Sequence, residues 1–108
     1  MIVTTTETVA GYEITENLGT VIGNTIRARH VGKDIMAGLR TIIGGEIKEY
    51  TGMLAESREQ SLMRMQDKAK ELGANAVVGV RFQTSMILSG TAELLVYGTA
   101  VKLGRKTG

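Results

Sequence analysis

The last strand predicted in the sequence is apolar on both of its faces. Residues 91–103 alternate with a period of two, which is typical of a β-strand. The residues of the two faces are, in turn, Ala92, Leu94, Val96 and Ala100, and Leu95, Tyr97, Val101 and Leu103. A helical layer covers only one face of a sheet, and a chain of 108 residues has no second sheet to spare. We therefore expect the other face to be buried by a partner.

A long amphipathic helix is predicted over residues 46–72. At ~1.5 Å per residue it is roughly 40 Å long, whereas a compact chain of this size has a radius of gyration of ~13 Å. Part of its apolar stripe is therefore expected to contact another subunit. The stripe recurs in steps of three and four, apart from a gap at Arg58, and consists of Ile43, Ile47, Tyr50, Leu54, Leu62, Met65, Ala69 and Leu72. Gly73 is placed to end the helix.

Shorter signals complete a β-β-α-β-β order and an α+β fold. Residues 2–5 predict a short strand, and the β-branched residues of 12–26 predict a long strand that Gly19 and Gly23 bend or bulge. Asp34 predicts a helix start, and Gly44-Gly45 a break in that helix.

Residues 76–84 predict a half-buried strand, and Ser89-Gly90 the turn that follows it. The alternation of this strand predicts that one face carries Ala76, Val78, Val80 and Phe82.

Composition indicates a single globular domain, which we assign to residues 1–103, followed by a basic C-terminal tail at 104–108. Hydrophobic residues make up 43% of the chain and charged residues 22%, which excludes disordered and collagen-like classes. The absence of cysteine excludes disulfides and thiolate metal sites. Because the sequence shows no secretory signal and no apolar run of ~18 residues, the expected compartment is the cytoplasm.

The charges are unevenly distributed. Residues 1–26 carry Glu7, Glu13 and Glu16 and no basic residue, whereas four basic residues oppose Asp34 in residues 27–40. The acidic stretch and the basic stretch can form ion pairs with each other, within a subunit or between subunits. A net charge of +2 with three Tyr and one Phe is too little for nucleic-acid binding. We therefore expect no nucleic acid as a partner. Because no apolar run of ~18 residues occurs, we expect no membrane as a partner either.

His30 is the only histidine, which limits any metal site. Zinc and copper sites normally take three or four ligands, so a site would need a ring of subunits that gathers several His30 side chains, with Glu13 or Glu16 as partners. The alternative interpretation is an exposed histidine in a basic turn. The six Met residues more often fill packing gaps than bind soft metals.

Arg81 is the most unusual polar residue, because it lies inside an otherwise apolar strand. A guanidinium in such a place needs a carboxylate or a bound anion. Glu46 or Glu93 would serve, and a buried structural ion pair is favoured over an anion site. No motif nominates a nucleophile, so no catalytic residue is predicted and an enzymatic role is not favoured.

Several motifs together resemble the YbjQ-like family of small bacterial and archaeal proteins, over nearly the whole chain. They are GLR at 38–40, GGEI at 44–47, EYT at 49–51 and GANAVVGVRF at 73–82. The resemblance implies a two-layer fold with an antiparallel sheet, and a homopentameric ring. The family is also labelled heavy-metal-binding, which implies a divalent or heavy-metal ion as cofactor. It often has Asp at the position of Gln83, so a role that needs a carboxylate there does not carry over.

Three functional hypotheses follow from these observations. The first is an assembly or binding module that forms a homo-oligomer, with the pentamer implied by the resemblance. The second is a metal-binding protein that uses His30 at subunit interfaces. The third is an enzyme, or a protein that binds an anion or a small molecule, using Arg81 with Glu46 and Tyr50 at an interface.

Overall fold

The computed structural model describes residues 1–28, 42–43, 46–88 and 91–107. The predicted helix start at Asp34, the Gly44-Gly45 break and the Ser89-Gly90 turn lie outside these residues. Within the described part of the chain, no helix is long and apolar enough to cross a membrane.

The described chain forms a sheet covered on one face by a helix, which confirms the α+β class. Its elements are β1 (Ile2–Val3), β2 (Tyr12–Ala28), β3 (Ile42–Ile43), β4 (Glu46–Ile47), α1 (Lys48–Glu71), β5 (Ala76–Leu88) and β6 (Thr91–Arg105). Four strands form one sheet in the order β1-β5-β6-β2, and β3 and β4 pair separately.

The four-stranded sheet is mixed rather than antiparallel throughout. β6 lies antiparallel to both β2 and β5, as predicted. β1 pairs parallel with β5, which corrects the expectation of an all-antiparallel sheet. β6 continues to Arg105 opposite Tyr12, so the first residues of the predicted tail belong to this strand.

The C-terminus of α1 has the predicted glycine cap. Gly73 adopts a φ of +85°, and its N–H donates to the Lys70 carbonyl at 2.9 Å. The Ala74 N–H donates to the Ala69 carbonyl at 3.0 Å. These two bonds form a Schellman motif, which satisfies carbonyls that the end of a helix leaves without partners.

The buried side of α1 differs from the predicted stripe. Among the helix residues whose side chains the structure describes, the buried ones are Ser57, Ser61, Met65 and Ala69, one every four positions. Leu54 and Leu72 are exposed instead. The reason is the close approach of α1 to β2 at Gly23, where a Cβ atom would lie 2.5 Å from the backbone nitrogen of Met65. Small residues on the helix make this approach possible, and hydrophobic periodicity alone does not register them.

A bulge at Gly79 breaks the alternation predicted for β5. The pairing with β6 shifts between Val78 and Arg81, and Gly79 has a φ of +63°. Val77 and Val80 consequently pack in the helix-side core, whereas Ala76 and Val78 pack on the opposite face. The expectation that Val78 and Val80 share a face is therefore wrong, because the extra residue of a bulge reverses the direction of the side chains that follow.

β6 has two apolar faces, as predicted. Val96 and Ala100 belong to the core beneath α1, and Val101 and Leu103 to a second cluster on the other face. Part of that second cluster is covered by the chain itself, because Val9 and Tyr12 pack against it. The N-terminal segment therefore covers part of the sheet face that was expected to be buried by a partner.

The rest of this face remains exposed, and we call it the open face. The residues that define it are Ile14, Ile22, Ile26 and Tyr97, which are 44%, 41%, 57% and 37% exposed. Ile22 lies directly opposite Tyr97 in the β2–β6 pairing. The molecule is elongated, with a radius of gyration of 17.6 Å, compared with ~13 Å for a compact chain of this length.

Candidate functional site

Arg81 lies on the open face, directly after the bulge of β5 and opposite Tyr97. Its Nη1 atom donates to the Thr5 carbonyl at 2.8 Å and to the Val80 carbonyl at 2.9 Å. The side chain is exposed. The expectation of a buried ion pair with Glu93 is therefore wrong, and the guanidinium instead connects the N-terminal segment to the sheet.

Glu93 has a different partner. One of its carboxylate oxygens, Oε2, accepts a hydrogen bond from Asn24 Nδ2 at 3.1 Å. Among the described residues, the ion pair found is between Lys102 and Glu16, with 3.5 Å between Nζ and Oε2. The sequence alone does not show that Arg81 faces solvent. Its apolar neighbours along the strand fit either face of the sheet, and the exposure of Arg81 depends on which face α1 covers.

The N-terminal segment continues along β5 from β1 to the bulge. The Thr4 N–H donates to the Val77 carbonyl and the Val80 N–H to the Thr4 carbonyl, each at 3.0 Å. The Gly79 N–H donates to the Thr6 carbonyl at 2.9 Å. The bond from Arg81 to Thr5 therefore joins an existing backbone ladder, and it holds the segment at the point where the bulge begins.

A shallow concavity of about 340 Å³ lies beside Arg81 on the open face. Glu7 supplies an acceptor at its wall, and Asn17 and Thr99 supply neutral polar groups. Its apolar wall is formed by Ile14, Val78 and Val101. The carboxylate of Glu7 offsets the positive charge of Arg81, so the concavity suits a small polar molecule with both donors and acceptors better than a simple anion.

The predicted site residues Arg81, Glu46 and Tyr50 lie on three separate elements. Glu46 lies in β4 and Tyr50 in the first turns of α1, and their side chains are outside the described set. α1 packs on the sheet face opposite to the one that carries Arg81. The grouping of all three residues at an interface stays a prediction.

A buried hydroxyl cluster joins α1 to the sheet, and the sequence reading missed it. The Thr25 Oγ1 lies 3.2 Å from the Ser61 Oγ, which in turn donates to the Leu94 carbonyl at 3.2 Å. Thr25, Ser57 and Ser61 are all at most 3% exposed. The spacing of four residues between Ser57, Ser61, Met65 and Ala69 is the feature of the sequence that indicates a shared side of the helix. Because its hydroxyls bond within the core, the cluster is structural.

Comparison with known proteins identifies the family. A family model described as "Putative heavy-metal-binding" matches residues 1–104. The chain belongs to the YbjQ-like family. This confirms the resemblance seen in its motifs.

Relatives with high identity occur in archaea and bacteria and carry the name UPF0145 protein. The protein from Archaeoglobus fulgidus is 62% identical over 103 residues, which are 95% of each chain. The protein from Methanosarcina acetivorans is 57% identical over 103 residues, covering 95% of this chain and 97% of its own length. These names state no activity.

A solved structure has the same fold as this member of the YbjQ-like family. It is a protein of unknown function, assigned to the DUF74 family, from Pediococcus pentosaceus. The TM-score is 0.64 at 18% identity, and the match covers 96% of this chain and 98% of the other. At this identity the likeness concerns the fold alone.

The donor groups of this YbjQ-like chain do not fit a heavy-metal centre in the part that the structure describes. The chain has no Cys and one His, and His30 lies outside the described residues. The described residues contain no group of three or more His, Cys, Asp or Glu side chains that could hold a metal ion. Met65 is fully buried in the helix-side core, so its thioether packs against apolar neighbours.

Proposed function

We propose that the protein is an assembly or binding module that works as a homo-oligomeric ring. The observation that carries this proposal is the open face, where apolar side chains remain exposed on the sheet face opposite α1 in the described part of the chain. The number of subunits, five, is the number that the resemblance to the YbjQ-like family implies. We propose the cytoplasm as its compartment, and the cysteine-free composition supports this.

Physical chemistry favours covering the open face. Burial of apolar surface contributes about 25 cal/mol per Å², and exposed apolar patches on a folded chain mark interaction sites. Tyr97 and Ile22 lie opposite each other at the centre of this face. An elongated molecule exposes more of its surface than a compact domain does. Assembly with further copies of the same chain buries part of that surface.

Native mass spectrometry of protein purified without a metal-affinity tag tests this proposal. We expect five subunits at about 10 µM, in the concentration range where specific homo-oligomers persist. Tyr97→Ser should reduce the subunit number, because it removes the largest apolar side chain of the open face. Met63→Ser is the matched control, because Met63 is exposed on α1 and its loss should leave assembly unchanged. A wild-type monomer would contradict the proposal.

A second candidate function is small-molecule binding at the concavity beside Arg81. The presence of Arg81, Glu7 and Asn17 around one concavity of about 340 Å³ favours it. The same spectra test it, because a bound molecule adds mass to each subunit. Excess mass that disappears in Arg81→Gln would support this site, and excess mass that disappears in His30→Ala would support the metal hypothesis instead. Rings of bare subunits would argue against both.

A further inference from the structure

Each edge of the four-stranded sheet has a segment without a neighbouring strand among the described residues. β2 is the last strand in the order, and it pairs with β6 on one side only. On β5, β1 and the residues after it pair along the first half, as far as the bond between the Val80 N–H and the Thr4 carbonyl. Beyond that point, β6 is the only described strand that pairs with residues 82–88 of β5.

These segments have few of the features that normally keep sheet edges from pairing. One such feature is on β2, where Arg64 of α1 donates to the Asn24 carbonyl. Charged side chains, prolines and bulges are the usual protection of an exposed edge. The chain contains no Pro, and residues 17–26 and 82–88 carry no charged side chain. The first half of β2, by contrast, carries Glu13 and Glu16 and two register shifts, the second between Asn17 and Gly19. The β5–β6 pairing shifts register between Met86 and Leu88. The regular stretches are therefore residues 20–26 of β2 and 82–86 of β5.

The two regular stretches lie at the same height along the strands. β2 and β5 are both antiparallel to β6, so they run in the same direction. Asn24 and Gln83 lie opposite the same residue, Leu95. A rotation about an axis parallel to the strands therefore brings one stretch beside the other without a shift along that axis. Interfaces of this head-to-tail kind close into rings when no such shift accumulates.

We propose that residues 20–26 of one subunit pair as a parallel strand with residues 82–86 of the next, so that the sheet continues from copy to copy. This inference rests on the proposed homo-oligomer and specifies which surface joins its subunits. Backbone hydrogen bonds between the edges hold the copies together, as in other cases of strand addition. All helices then lie on one side of the continuous sheet, and the open faces merge on the other side.

Disulfide trapping tests this pairing, since the chain has no native cysteine. We combine Gln83→Cys with Ile22→Cys, Asn24→Cys or Ile26→Cys in one chain and oxidise with diamide. The three β2 positions share a face with Gln83 and cover a register shift of two residues in either direction. Within one subunit the pair is two strand spacings apart, about 10 Å, and a disulfide needs its Cα atoms within about 7 Å.

Ile14→Cys with Gln83→Cys is the matched control. Ile14 lies on the same strand and the same open face and is 44% exposed, compared with 41% for Ile22. It lies eight residues from Ile22, which is about 26 Å along a strand. This control and every single-cysteine variant should remain single chains on a denaturing gel.

The expected result is a ladder of covalent species from at least one double variant, ending at the subunit number that native mass spectrometry gives. Intact rings without any ladder would overturn the pairing and leave the homo-oligomer standing. Covalent dimers from a single-cysteine variant would overturn it too, because they indicate a two-fold interface. A monomeric wild-type protein would remove the homo-oligomer itself, and the inference with it.

Discussion

Gly23 is the residue on which the packing of the two layers depends most. A Cβ atom at this position would overlap the Ser61 carbonyl oxygen and lie 2.5 Å from the Met65 backbone nitrogen. Both obstacles are backbone atoms, so no rotation of a side chain can remove the clash. The sequence predicted Gly23 as a bend in a strand, because a glycine pattern does not distinguish a bulge from the close approach of a helix.

We predict that Gly23→Ala lowers the free energy of unfolding by about 1–3 kcal/mol, the usual cost of overpacking a core. Gly52→Ala is the control, since a Cβ atom at Gly52 meets nothing within 4 Å on the exposed side of α1. This substitution should raise the free energy of unfolding by up to about 1 kcal/mol, because alanine favours helices. Urea denaturation at one fixed protein concentration measures both. Equal stability of Gly23→Ala and wild type would show that α1 does not rest on β2 at this residue.

At the scale of elements, β5 shows both what could be predicted and what could not. Its strand character and the two faces of β6 followed from alternating hydrophobicity, which is a local property. The bulge at Gly79 did not, because a glycine inside a strand is compatible with several backbone conformations. The parallel pairing of β1 was also missed, since a strand of two residues has too little pattern to specify its neighbour. The role of Arg81 depends on that pairing, so it could not be predicted from the sequence either.

We predict that Arg81→Ala loosens the N-terminal segment from β5. It removes the guanidinium bond to the Thr5 carbonyl, and a hydrogen bond of this kind contributes about 1 kcal/mol, or about fivefold in a local opening equilibrium. Native-state hydrogen exchange should therefore become about fivefold faster at the amides of Gly79 and Val80, which bond to this segment.

The control for this exchange experiment is Arg64→Ala. Arg64 is also exposed, and it donates to a backbone carbonyl, that of Asn24, from α1. It should leave the amides of Gly79 and Val80 unchanged. If both variants accelerate them equally, the effect is a general loss of stability and Arg81 has no special role in holding the segment.

At the scale of the whole molecule, the open face and the elongated shape connect folding to assembly. A single copy leaves Ile22 and Tyr97 exposed, so part of the apolar surface that would stabilise the fold is buried only between copies. Stability should then depend on concentration, because a partner that binds the folded chain stabilises it by mass action.

We predict that the thermal midpoint of the wild-type protein rises by about 10–20 °C over a hundredfold increase in concentration, for example from about 1 to 100 µM. A hundredfold change in the concentration of a partner corresponds to about 2.7 kcal/mol, and for a domain of this size each kcal/mol shifts the midpoint by about 4–8 °C. The midpoint of Tyr97→Ser should depend less on concentration, because serine contributes less apolar surface to the interface than tyrosine does. Differential scanning calorimetry at several concentrations measures both slopes. A midpoint that is independent of concentration in a proven oligomer would mean that each subunit is fully stable before it assembles, and that the open face adds nothing to the fold.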